Sequence, residues 1–129
     1  MTSEADVRIS TSPPEGWDDL VTRDPRGSFC HLAGWGRVFR EVLGLEPLFL
    51  HVGPEGSPEG IMPLYRMGRL PLGTTLVSVP YLNYGGPLGS PQARRSLARA
   101  AVTETERSGD RRLEIRTRSD LDAGLPPGR

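Results

Sequence analysis

Tyr81, Asn83 and Tyr84 stand in LVSVPYLNYGGPLGSPQARRSL, residues 76–97, just after an apolar run that breaks at Pro80. Two phenols and an amide beside a strand end can hold a sugar, a peptide or a phosphate by hydrogen bonds. Glu114 and Arg116 alternate on one side of the later segment RRLEIRT. A carboxylate and a guanidinium facing a cleft could orient an amine and an anionic group. These five residues form the candidate substrate-binding set, and no residue is singled out as a catalytic base. Each also has a plainer reading. The tyrosines can pack over the core edge, Asn83 can cap the turn, and Glu114 and Arg116 can belong to an ordinary charged sheet face. Arg66 has the same two readings.

Gly85, Gly86, Pro87 and Gly89 follow the tyrosines and lead into an arginine-bearing helix. Strand, glycine-rich loop and helix start is the outline of an anion site, because free N–H groups converge there. Pro87 and Pro91 remove two of those donors. The glycines are therefore expected to serve the turn first, and a small anionic ligand at Gly85–Gly89 is the alternative.

Other reactive residues are few. Cys30 is the only cysteine, which excludes an internal disulfide and a cysteine-rich zinc site. Its neighbour His31 would not face it in a helix, so Cys30 reads as a small buried thiol. His31 and His51 read as helix-start and strand-surface residues rather than ligands. Every basic side chain is arginine, which removes lysine chemistry. Arg94, Arg95 and Arg99 read as a solvated helix face. With 16 basic against 16 acidic side chains, DNA or an anionic membrane is not expected as a bulk partner.

The 129 residues suit one domain. The apolar fraction of 36% is low, so the core should be small. Val7 to Ser10 alternates as a short strand. Trp17, Leu20 and Val21 recur at helical spacing, giving a short helix over about 15–23. DPRGS at 24–28 is a turn. In HLAGWGRVFREVLG, Leu32, Trp35, Val38, Phe39, Val42 and Leu43 make one apolar stripe, and Gly44 ends the helix. Trp17 and Trp35 are expected as core anchors. Residues 47–68 read as a hairpin with a loop at 53–59, and Pro63 marks an edge, a bulge or a splaying of the sheet. TLVSVP is the next strand, 91–108 a helix, and RRLEIRT the last strand, with Leu113 and Ile115 facing one way. The order is β-α-α-β-β-β-α-β: an α/β (α+β) fold with a mixed sheet flanked by helices.

That order, with its glycine loop between the fourth strand and the third helix, resembles the first two-thirds of a GNAT-type acyltransferase. SFCHLAGWGRVFREVLGLEPLFLHV, GIMPLYRM, LVSVPYLNYGGPL and LEIR, in succession, resemble the N-terminal region of FemAB-related transferases. The subset most similar is the exosortase (PEP-CTERM)-associated FemAB-like proteins. The resemblance covers about residues 17–116. It implies a partial GNAT-like fold over 1–117 and N-acyl or aminoacyl transfer to an amine of a cell-envelope or exopolysaccharide precursor. It implies no tightly bound cofactor, with acyl-CoA or aminoacyl-tRNA as co-substrate. The loop NYGGPLGSPQARR departs from the acyl-CoA pattern, lacking the leading Arg or Gln and the G-x-G/A at the helix start.

A GNAT unit continues beyond the fifth strand, whereas residues 118–129 are polar and rich in breakers and are expected to be disordered. The chain thus reads as a truncated half. A rival reading is a non-catalytic interaction module that pairs with a separately encoded C-terminal half. An unfinished sheet would leave apolar surface and favour self-association. No apolar run reaches the ~20 residues of a membrane span, and MTSEADVRIS has no signal-peptide pattern. The expected address is cytoplasmic.

Overall fold

The computed structural model describes residues 6–69, 73–78, 85–110 and 112–115. Among the described residues, six strands form one mixed sheet. They are β1 (Arg8–Ser10), β2 (Glu46–Val52), β3 (Gly60–Arg69), β4 (Gly73–Val77), β5 (Leu88–Gly89) and β6 (Arg112–Glu114). The spatial order is β1-β2-β3-β4-β6, with β5 beside β3. β1 to β4 pair antiparallel, and β6 pairs parallel with β4. A parallel neighbour needs a crossover, and α3 (Pro91–Ser108) supplies it. A mixed sheet flanked by helices is therefore observed.

β2 is a near-continuous apolar run because both of its faces are covered. Leu48, Leu50 and Val52 point to one side, where Met62, Leu64, Leu76 and Leu113 meet Ala93, Leu97 and Ala101 of α3. Phe49 points to the other side and joins Ile61, Leu88 and residues Trp17, Leu20 and Val21 of α1 (Trp17–Arg23). The Trp17 and Phe49 rings meet edge to face, with centroids 5.0 Å apart. α2 (Gly34–Leu43) lies on this second side and contributes Phe39, which packs with Tyr65 and Cys30. Burial pushes the Tyr65 phenol pKa up.

Several expectations need correction. A short fifth strand, β5, enters beside β3, where Gly60 pairs with Gly89 and Ile61 with Leu88. The helix expected from His31 begins only at Gly34, because Phe29–His31 forms a separate 3₁₀ turn capped by Ser28. The apolar stripe of α2 is mostly not core: Val42 is 73% exposed, and Leu32, Val38 and Leu43 are exposed too. Trp17 is the core anchor that was expected, whereas Trp35 is only half-buried.

Pro63 stands opposite Phe49 in the β2–β3 ladder. β4 pairs with β3 from Tyr65 onward and β5 pairs only with Gly60 and Ile61. Among the described residues, Met62, Pro63 and Leu64 have no strand partner on that side.

Candidate functional site

The parallel pair β4 and β6 sets the first candidate region. Leu76 stands beside Leu113 and Val77 beside Glu114, and the Ser78 N–H donates to the Glu114 carbonyl at 2.9 Å. The carboxyl ends of two parallel strands are thus tied level. Open α/β sheets bind ligands outside such ends. Leu113 and Ile115 pack toward α3 as their alternation required, which puts half-buried Glu114 on the opposite face, beside Val77. Of the five candidate residues, only Glu114 is described. Tyr81, Asn83, Tyr84 and Arg116 lie outside the described residues.

The glycine loop is held from three directions. Gly89 has φ 121°, and a Cβ there would sit 2.2 Å from the Glu59 carbonyl oxygen, so β5 can approach β3 only with glycine. The Gly89 N–H, a donor that an anion would use, donates to Asp24 Oδ2 at 2.8 Å. An anionic ligand there would have to displace a carboxylate of the chain itself. Ser90 caps α3 by accepting from the Ala93 N–H at 3.1 Å. Arg94, expected as solvated, is buried and donates from Nε to the Gly89 carbonyl at 3.2 Å.

His31 holds the other end of the loop. It is 2% exposed. Its Nδ1 lies 3.2 Å from the Ser28 backbone N, which can only donate, so Nδ1 accepts and the ring proton sits on Nε2. Nε2 then donates to the Gly86 carbonyl at 3.0 Å. Trp17 Nε1 donates to the His31 carbonyl at 2.8 Å. This histidine therefore ties α1, the 3₁₀ turn and the glycine loop together. The Ser28-x-x-His31 spacing was the only sequence signal for this arrangement.

Arg66 resolves toward structure. Its guanidinium reaches Glu46 at 2.6 Å, Glu104 at 3.2 Å and Asp110 at 3.1 Å. Thr74 Oγ1 donates to Asp110 as well, and Arg107 and Ser108 bond Glu104. Burial alone would raise the Glu104 and Asp110 carboxyl pKa values. Hydrogen bonds outweigh it and hold both below their ordinary values, from Ser108, Arg107 and Arg66 in one case and from Arg66 and Thr74 in the other. The cluster fastens the C-terminal end of α3 to β2, β3 and β4, and so sets where β6 begins.

A second candidate region lies at the β1 edge. Arg8 stands opposite His51 in the β1–β2 ladder, and Ser10 lies on the diagonal, its Oγ 3.3 Å from His51 Nε2. Arg8, Ser10 and His51 line a cleft of about 690 Å³ together with Glu15 and Glu55. Burial, and then the nearby Arg8 guanidinium, lowers the His51 pKa and favours the neutral ring. The wall is fixed where Gly16, at φ 90°, lets the start of α1 close on the 53–59 loop. A Cβ there would meet the Gly56 carbonyl oxygen at 2.7 Å. From the sequence His51 is expected as a strand-surface residue, and nothing in EPLFLHV points to a cleft beside it.

No family model, no curated protein and no solved structure matches the chain. Among the described residues, no group of three or more His, Cys, Asp or Glu could hold a metal ion, and no helix is long and apolar enough to cross a membrane.

Proposed function

We propose that the chain is the N-terminal half of a FemAB-related N-acyl or aminoacyl transferase acting on an amine of a cell-envelope or exopolysaccharide precursor. One observation supports this most: an antiparallel meander passes through α3 to a parallel strand, leaving the carboxyl ends of β4 and β6 level at Val77 and Glu114. An acyl donor held there would be attacked by the acceptor amine. The protein's task would be positioning and hydrogen bonding to the developing oxyanion rather than covalent catalysis. Glu114 would orient the amine, and Tyr81, Asn83, Tyr84 and Arg116 would bind the acceptor. Acyl-CoA or aminoacyl-tRNA would be the co-substrate. Calorimetric titration of the purified chain with each donor should give saturable heat; silence with both would sink the proposal.

A second reading rests on exposed apolar side chains of α2 and of the 3₁₀ turn before it. Phe29 is 62% and Val42 73% exposed, with Val38 and Leu43 alongside. Exposed apolar side chains of this kind favour an interaction module that pairs with a C-terminal half or with itself. Co-purification with such a partner, in the absence of donor binding, would favour this reading over the first.

A further inference from the structure

The cleft at the β1 edge belongs to neither reading above. Its charged residues come from three separate places: Arg8 from β1, Glu15 from the lead into α1, and Glu55 from the β2–β3 loop. Opposite charges around one cleft ordinarily pair. Here none of the three forms an ion pair with another described residue; Arg8 donates instead to the Gly53 carbonyl. Apolar Ile9, Pro14 and Pro54 line the same space. Arg8 Nη2 donates to the loop at the Gly53 carbonyl, and the close approach at Gly16 sets the opposite wall.

We propose that this cleft binds a small zwitterion whose ammonium and carboxylate are separated by an apolar spacer. The carboxylate meets Arg8, where a guanidinium can offer paired N–H donors. The ammonium meets Glu15 and Glu55. The spacer covers Ile9, Pro14 and Pro54, and the Ser10–His51 pair supplies neutral polar contacts along its length. A volume of about 690 Å³ accommodates such a molecule with room for bound water. A neutral His51 ring leaves the ammonium unopposed. A ligand of one charge alone would leave either Arg8 or the two glutamates facing an uncharged group.

The test uses 6-aminohexanoate as the probe, with hexanoate and hexylammonium as single-charge controls, in calorimetric titration of the full chain. Arg8, Glu15 and Glu55 are exposed, so Arg8→Ala and the double variant Glu15→Gln/Glu55→Gln should stay folded, which thermal unfolding verifies. The expected result is saturable binding of 6-aminohexanoate, at least about tenfold weaker binding of each control, and a similar loss in each variant. No binding of 6-aminohexanoate, equal binding of either control, or affinity that survives both variants would overturn the proposal. It stands apart from the transferase reading, whose donors are titrated separately.

Discussion

Asp24 Oδ2 accepts a hydrogen bond from the backbone N–H of Gly89 at 2.8 Å, joining residues 65 positions apart in the chain. The same carboxylate accepts from the Arg26 N–H at 2.8 Å. One side chain thus shapes the turn after α1 and anchors β5, which brings the glycine loop to the start of α3.

Replacing Asp24 with alanine should therefore destabilise the chain. It orphans the part-buried Gly89 donor and releases β5 from α1. A loss of about 1–3 kcal/mol is expected from urea unfolding. An unchanged midpoint would show that the loop is held without this bond.

Arg66→Met should cost more, about 3 kcal/mol, because it leaves the carboxylates of Glu104 and Asp110 without their guanidinium. The acid limb of the stability profile gives the sign. Both carboxyls titrate below their ordinary 4.5 and 3.8 in the folded state. Their contribution is present above those values and is lost as pH falls through the folded pKa values. The gap between wild type and variant should therefore close in acid. A gap that stays constant down to the acid transition would contradict the ion cluster.

His51 should make stability depend on pH in a different window. Its folded pKa lies below the ordinary 6.5, through burial and then Arg8. Between the folded value and 6.5 the unfolded chain binds more protons, so stability rises with pH and is lost as pH falls below 6.5. His51→Gln should flatten that slope. Unfolding curves in buffers spanning this range are the readout, and equal slopes for both proteins would refute the assignment.

The exposed apolar face of α2 should drive association. Sedimentation at rising concentration should show the wild type forming larger species and the double variant Phe29→Ser/Val42→Glu remaining monomeric. A wild type that stays monomeric throughout would remove the main support for the interaction-module reading.

The sheet was legible in the sequence where burial was continuous. EPLFLHV and GIMPLYRM read as strands because both faces are apolar, and simple alternation put Leu113 and Ile115 on one face, which the structure turns toward α3. β5 was not legible: two residues carry no periodicity, and a long-range ladder with Gly60 defines them. The α2 stripe shows the limit of periodicity, which identifies an apolar face without saying what covers it. Of the candidate set, Glu114 was placed at the carboxyl end of β6 and the other four lie outside the described residues. The roles of Asp24, His31 and Arg66 were hidden because their partners are 65, 55 and up to 44 positions away.

The transferase reading places the acyl donor at the carboxyl ends of β4 and β6, and amide chemical shifts test that placement residue by residue. Titration of isotopically labelled chain with acyl-CoA and with aminoacyl-tRNA should shift Val77, Ser78, Gly85, Gly86 and Glu114 first, leaving Arg8 and His51 at the distant cleft unmoved. Spectra unchanged by both donors, or shifts confined to the β1 edge, would contradict it.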